Sequence, residues 1–332
     1  MTNQSKRWEF VPNSEIKVDG SILRRIRALV NMPGHDVKAG DIGGYVENEN
    51  NLLQKSRAWI FDDAQVYGRA KVFDDAQVYG RAKVFDYAQV YGRAKVYNKA
   101  QVYGGAWVFG DAHVFGDAQV YGDARVYGGA QVFGGAWVCG DAQVFDYAQV
   151  FGDARVYGGA QVYGGAWVFG GAQVFGGAQV YGDARVYGGA QVYGGAWVFG
   201  DAQVFDDAQV FGGAQVYGGA QVCGNAQVCG NALVYFEAQV TGLAYVTGDA
   251  VICSSANWVT VGPSISSCRF TTAHTDKRLG VRVNCGCFSG SLAEFASAIE
   301  KTHQNSPQDL ARYRAFHRLI MEVFGQENTN DK

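Results

Sequence analysis

The sequence predicts a mainly β protein: a left-handed parallel β-helix of three sides and about eleven coils, followed by a small α+β domain. Three observations predict it. An alanine stands at every sixth residue from Ala58 to Ala256, 34 positions in unbroken register. Valine follows each alanine by two residues from Val66 to Val246, with Ile60 and Ile252 at the ends. Glycine or aspartate closes most hexads, as at Gly68, Asp74, Gly80 and Asp86.

The consensus hexad, Ala-Gln-Val-Tyr/Phe-Gly-Asp/Gly, alternates small apolar, polar and branched apolar residues, which is strand spacing with Ala and Val on one side. Glycine and aspartate accept the tight or positive-φ conformations of a corner. Each hexad is then one short strand plus one corner. Short strands without helices between them cannot make βαβ crossovers. They can stack as coils, each burying the Ala/Val stripe of its neighbours, and six residues per side is the period of a three-sided helix. On these residues the array resembles the hexapeptide-repeat superfamily, whose motif runs aliphatic, small, x, x, small, x; Val66 and Ala70 fit its inward positions. It departs from the motif after valine, where a small residue is usual and this chain has Tyr or Phe.

Residues 1–57 read as an N-terminal cap and lead-in, 58–260 as the β-helix, and 264–326 as a hairpin followed by two helices. A cap is needed because the terminal coil of a solenoid otherwise exposes core and unpaired strand edges. The lead-in has a Leu23-Arg24-Arg25-Ile26 strand, then Gly43-Gly44-Tyr45, then Leu52 in the alanine phase. This order resembles the start of YdcK-like bacterial hexapeptide proteins, and similar caps occur in phage and prophage proteins. The resemblance implies the fold and brings no catalytic residue with it. His35, in the lead-in loop, reads as an ordinary surface histidine.

Within the array, Gly-Ala-Trp-Val recurs every thirty residues at Trp107, Trp137, Trp167 and Trp197, and Ala-Arg-Val at Arg125, Arg155 and Arg185. Thirty is not a multiple of eighteen, so successive copies fall on different sides, as expected of elongation by tandem duplication. Of the thirty post-valine positions from Phe61 to Tyr235, 27 hold Tyr or Phe; Cys139, Cys223 and Cys229 fill the others. Alternation places these aromatics outside, where they can stack between coils. Gln65, Gln77 and Gln89, beside them, are expected to form amide ladders. The outward aromatics expected to meet a partner are Tyr67, Tyr79 and Tyr91, together with Trp107, Trp137, Trp167 and Trp197.

Net charge is −3. Residues 62–99 are net +2 and residues 100–256 net −9, which argues against nucleic acid, since that ligand needs a continuous basic stripe. No run of eighteen apolar residues suggests a membrane span, and the first seven residues lack an apolar signal segment. Seven cysteines, three of them in hexad aromatic positions, suit a reducing cytoplasm.

Acyltransferases of the hexapeptide type use a histidine and an excursion loop. The array has one histidine, His113, where sister copies have Gln143, Gln173 and Gln203, and it has no excursion. In the tail, Arg269–Ala273 and Val281–Cys285 read as a hairpin. Ser291 and Glu294 form a capping box opening a helix along Leu292, Phe295, Ala296 and Ile299. A second helix runs from Pro307 to Phe324, with Leu310, Tyr313, His317, Ile320 and Phe324 on one side. Cys285-Gly-Cys287 is too closely spaced for a zinc knuckle, although His274 and His303 would be the candidates to complete one. The chain therefore reads as a non-enzymatic cytoplasmic rod, phage- or prophage-encoded by resemblance, that meets a protein partner or assembles as a homo-oligomer such as a trimer. No catalytic residue, cofactor or metal is expected. The alternative is an acyl-CoA-dependent acyltransferase.

Overall fold

The protein is described by a computed structural model covering residues 6–263 and 270–325. Cys268, Arg269, the first five residues of the chain start and the tail from Glu327 to Lys332 lie outside the described residues. The chain divides into two units, Met1–Gly182 and Asp183–Lys332.

In the first unit every hexad from Trp59 onward contributes a two-residue strand, at Gln65–Val66, Lys71–Val72, Gln77–Val78 and so on to Gln179–Val180. Each pairs in parallel with the strand eighteen residues away, as Val90 does with Val72 and Val108. The hydrogen-bonded strands are shorter than the four residues the hexad predicts, because the corners consume the rest. Pairing nevertheless runs past the strand: the N–H groups of Gln89, Tyr91 and Arg93 donate to the carbonyls of Ala106, Val108 and Gly110, at 2.9, 3.0 and 2.8 Å. The Ala and Val side chains of these coils are wholly buried. Only small and branched groups stand inside, and each buried valine contributes on the order of 1.5 kcal/mol.

The corners explain the glycines. Gly122 has φ +68°, and a Cβ there would lie 2.8 Å from the Gly140 nitrogen of the next coil. Where a corner is not glycine it is mostly Asp or Asn, as at Asp74, Asp86 and Asn98. The Asp62 and Asp86 carboxylates accept the N–H of Gly80 and Gly104, one coil further on, at 2.9 and 3.3 Å. A side chain that tolerates positive φ and caps the next corner is thus compatible with the site, whereas a β-branched one is not. Gly122→Val is expected to lower stability by about 3 kcal/mol, and Gly122→Asn by less than half as much. Urea midpoints would check this; equal losses in the two variants would refute the corner argument.

The lead-in comprises β1 (Trp8–Phe10), β2 (Ile16–Val18), β3 (Ser21–Ala28) and β4 (Ile42–Val46). β3 pairs antiparallel with the other three. β4 then joins the solenoid, placing Tyr45 and Val46 parallel to Gln65 and Val66. Gly43 and Gly44 permit this close approach: a Cβ on either would lie 2.5 Å from the Ile60 carbonyl oxygen or 2.6 Å from that of Ala64. Leu52 bridges in parallel to Val72, and the buried Asn51 amide donates to the carbonyls of Gly68 and Ala70, at 3.0 and 2.8 Å.

In the second unit the same coils run from Asp183 to Ile252, and the chain then leaves the array. The hairpin strands are Thr271–Asp276 and Gly280–Cys285, paired antiparallel. Two further strands flank them, Trp258–Val261 and Phe288–Ser291, completing a four-stranded antiparallel sheet. Residues 258–260 thus belong to this sheet and not to the array. The predicted capping box is present: Ser291 Oγ accepts from the Glu294 N–H at 3.2 Å, and Glu294 accepts from the Ser291 N–H at 2.8 Å. It opens α1 (Leu292–His303), followed by α2 (Pro307–Val323). Leu292, Phe295, Ile299, Tyr313, Ile320 and Met321 pack with Ala273, Val281 and Val283 of the sheet as one core.

The sheet closes the last coil of its unit. Inside the array, the N–H groups of Gln227, Cys229 and Asn231 donate to carbonyls of the next coil. Tyr245, Thr247 and Asp249 have no such coil after them. Their N–H groups donate instead to Thr272 Oγ1, His274 Nε2 and Asp276 Oδ2, at 3.1, 3.3 and 3.2 Å. Alternation along one strand aims these three side chains the same way, matching the alternate N–H groups of the coil. Asn284 adds a bond from its amide to the Tyr245 carbonyl at 3.0 Å. Burial holds His274 neutral, with its pKa pushed down to about 4. Burial would raise the Asp276 carboxyl, but bonds from Arg282 and from the N–H groups of Arg278 and Leu279 outweigh it and hold the pKa below its ordinary value.

Candidate functional surfaces

The outward aromatics of the first unit form columns. Tyr79, Tyr97, Phe115 and Phe133 stack with centroids 4.7–4.8 Å apart and planes within 4° of parallel. Phe73, Tyr91, Phe109 and Tyr127 do likewise at 4.8–4.9 Å. Stacked in this way the rings are half-buried, and their hydroxyls find partners. Tyr103, Tyr127, Tyr157 and Tyr163 donate to Oε1 of Gln119, Gln143, Gln173 and Gln179, at 3.1–3.2 Å. In the second unit Tyr187 and Tyr193 donate to Gln203 and Gln209 at 3.3 Å.

Two expectations are corrected here. Gln65, Gln77 and Gln89 do not form amide ladders. Their strand neighbours include Lys83, Lys95, Lys71 and Trp107, and elsewhere the glutamine amide serves tyrosine hydroxyls instead. Tyr67 is not an outward contact. It is only 6% exposed, its hydroxyl donates to Asp19 Oδ2 at 2.9 Å across the lead-in, and burial pushes its pKa up. Tyr79 and Tyr91 remain half-buried in their columns.

The tryptophans are the exposed members, at 36–40% each. Trp107, Trp137 and Trp167 stand on three different faces of the first unit. The Arg125 guanidinium lies 5.2 Å from the Trp107 ring centroid, and Arg155 lies 4.9 Å from Trp137. Each pair spans one coil, so the thirty-residue duplication copied a complete Trp–Arg unit. A depression of about 320 Å³ beside Trp107 is lined by Gly105, Asp123, Arg125, Asp141 and Gln143. Gly105 makes room for Asp123, whose carboxylate would lie 2.4 Å from a Cβ at that position. The second unit places Trp197 on a strand beside Gln215.

Histidine chemistry is not assembled in the array. His113 lies between Lys95 and Gln131 on its face, with its ring edge-on to Tyr97 at 6.2 Å. Desolvation, aided by Lys95, lowers its pKa. The strands before and after it keep the six-residue step. In the tail, Cys285 accepts from the Thr271 hydroxyl at 3.1 Å, while Cys287 is exposed. His303 stacks on Tyr313 at 4.6 Å, and His274 faces the last coil. These four do not converge, and no group of three or more His, Cys, Asp or Glu able to hold a metal ion occurs among the described residues. No described helix is long and apolar enough to cross a membrane.

Four segments, residues 88–104, 118–134, 148–164 and 178–201, match the family model described as the YdcK beta solenoid repeat. Their starts are thirty residues apart, the period of the Trp and Arg copies. No curated protein matches the chain.

Proposed function

We propose that this chain, whose array consists of YdcK-type β-solenoid repeats, is a non-enzymatic scaffold that meets a protein partner through its exposed Trp–Arg units. The observation that supports this reading is the copying of Trp with its stacked Arg at Trp107–Arg125 and Trp137–Arg155. Tryptophan and arginine are the side chains that most often anchor protein interfaces. They are also exposed, whereas the rings that follow each valine on the same faces bury one another. The lead-in's likeness to caps of phage and prophage proteins supports a phage or prophage origin. Free thiols at Cys139, Cys223, Cys229, Cys253, Cys285 and Cys287 support a reducing compartment such as the cytoplasm.

The competing reading is acyl transfer from a coenzyme A thioester. It requires a general base beside a cofactor held by irregular structure. His113 instead packs on a regular face, in a position that sister hexads fill with glutamine. Calorimetric titration with acetyl-coenzyme A is expected to show no saturable heat, and His113→Gln to leave the thermogram and the melting temperature unchanged. Micromolar binding weakened by His113→Gln would make the enzyme reading the correct one. For the scaffold, a Trp107→Ala/Trp137→Ala double variant should keep the wild-type circular dichroism spectrum. It should lose at least about tenfold in affinity for a purified partner or for self-association, measured by sedimentation. Unchanged association would refute the Trp–Arg interface.

A further inference from the structure

The face that carries Trp107 keeps its charges apart. Its central column runs Lys71, Gln89, Trp107, Arg125 and Gln143 on successive coils of the first unit. The corner column beside it, two residues earlier in each hexad, runs Arg69, Tyr87, Gly105, Asp123 and Asp141. Other corners of the unit neutralise their charges across a single coil, as Arg57 does with Asp75 and Arg93 with Asp111, both at 2.5 Å. Here Tyr87 and Gly105 separate Arg69 from the carboxylates, and Asp123 and Asp141 stand one coil apart as like charges. Arg69, Lys71, Asp123 and Asp141 make no ion pair among the described residues. Arg125, in the same hexad as Asp123, is stacked on Trp107 instead.

Shape is uneven along the same line. Tyr87 projects from its corner, 57% exposed, with the Arg69 guanidinium 5.2 Å from its ring centroid. Gly105, next along the corner, puts no side chain there. Beyond it lies the depression of about 320 Å³ whose middle coil is that of Asp123 and Arg125. Counted from the coil of Gly105 and Trp107, the knob stands one coil before and the depression one coil after. A two-fold axis lying in the plane of contact, level with Gly105 and Trp107 and perpendicular to the solenoid axis, exchanges these positions. It sets each Tyr87 over the depression of the other copy, each Arg69 over the other copy's Asp141, and each Gln89 over the other copy's Arg125. The two Trp107 indoles meet at the axis, beside the bare Gly105 corners. Every contact occurs twice, as an isologous interface requires. A parallel pairing would hold Arg69 level with Arg69 and Asp141 level with Asp141, so charge selects the antiparallel one.

We propose that the first unit self-associates through this face, with a second copy of the chain bound antiparallel. The inference rests on the reading of Trp107–Arg125 as an interaction unit, and it names the partner. Tyr87 in the facing depression is the anchor, and the Arg69–Asp141 pairs toward the two ends set register and orientation. A patch of five coils is roughly 20 Å long, which places it at the small end of specific interfaces. The expected dimer is therefore a weak one that dissociates at micromolar concentration.

Charge reversal with rescue tests the pairing. The full-length protein is followed by sedimentation equilibrium from about 1 to 200 µM, a range that brackets such an affinity. A monomer–dimer equilibrium is expected, and added salt should weaken it. Arg69→Glu and Asp141→Arg should each weaken self-association at least about tenfold, since each sets like charges opposite one another. Mixed in equal amounts, the two variants should recover the wild-type dimer, because each then supplies the charge that the other lacks. Tyr87→Ala should also weaken the dimer about tenfold, whereas Trp137→Ala, on another face, should leave it unchanged. All of these side chains are exposed, so the circular dichroism spectra should match the wild type. A protein that stays monomeric throughout would overturn the antiparallel dimer and leave the Trp–Arg reading standing with a different partner. A mixture that fails to recover the dimer would overturn the pairing of Arg69 with Asp141, and the proposal with it. Dimerisation indifferent to Trp107→Ala would overturn both readings.

Discussion

Deleting Gly105–Gly122, eighteen residues and one full turn, is expected to leave a folded first unit, whereas deleting only Gly105–Trp107 is expected to unfold it. The larger deletion keeps every later hexad in phase: Val90 now meets Val108 and Val108 meets Val126, and after the cut Val90 would meet Val126. It removes one nearest-neighbour interface from a structure whose stability is a sum of such terms. The smaller deletion shifts all later hexads by half a period. Valines would then turn outward, and aromatic or corner residues would face a bore that now holds only Ala and aliphatic side chains, mostly Val. Each polar group forced inside without a partner costs about 1–3 kcal/mol. A few such groups exceed the roughly 5–15 kcal/mol by which a domain is stable. Far-ultraviolet circular dichroism during urea unfolding measures both variants. A three-residue deletion with the midpoint of the eighteen-residue one would refute stacked coils in fixed register.

Acidification should selectively weaken the second unit, through His274. Its ordinary pKa of 6.5 is lowered to about 4 in the folded chain. The unfolded chain therefore takes up the proton first as pH falls. The stabilising contribution is complete above pH 6.5 and is lost progressively down to about pH 4, amounting to about 3 kcal/mol. The structural cause is plain: Nε2 must stay unprotonated to accept the Thr247 N–H and the Asn284 amide, at 3.3 and 3.2 Å. Asp276 adds a further loss only below its own ordinary carboxyl range, because its folded pKa is also depressed. Urea midpoints measured between pH 7 and pH 4, followed by Trp258 emission, should fall steeply for the wild type and much less for His274→Gln. Parallel slopes would show that His274 is not the titrating group.

The parts of the fold that were legible in the sequence are those governed by a period or a local motif. Ala and Val repeat every sixth residue because the bore admits only small and branched aliphatic groups, and Ser291 with Glu294 announces a helix start within four residues. What escaped reading was set by pairings across space. Trp258 falls in valine phase, two residues after Ala256, and so reads as array, yet its strand pairs with Thr271–Asp276. Phe288–Ser291, rich in serine and glycine, reads as a loop until Cys285 and Arg282 pair with its ends. Tyr67 is buried by Asp19, 48 residues away, and nothing in its hexad distinguishes it from Tyr79. The tyrosine–glutamine bonds could have been found: their spacing of sixteen residues follows from the eighteen-residue turn and the two-residue offset between the two positions. The contact of His35 with Gln77, which makes it no ordinary surface histidine, could not, because it needs the lead-in turn to fold back onto a hexad 42 residues later.

The aromatic columns also make the first unit an optical object. Rings 4.7–5.1 Å apart and within 5° of parallel are close enough for their transitions to couple. Tyr91 and Tyr121 lie 6.4 and 6.5 Å from the indoles of Trp107 and Trp137. Excitation absorbed anywhere along a column can drain into an indole, so the unit's emission is that of tryptophan even when tyrosine absorbs the light. Rings held in one repeated orientation give intense near-ultraviolet dichroism, and one displaced ring breaks the column into two shorter chromophores. The spectrum of this protein therefore counts uninterrupted turns, a property that the colourless alanine and valine interior could never report.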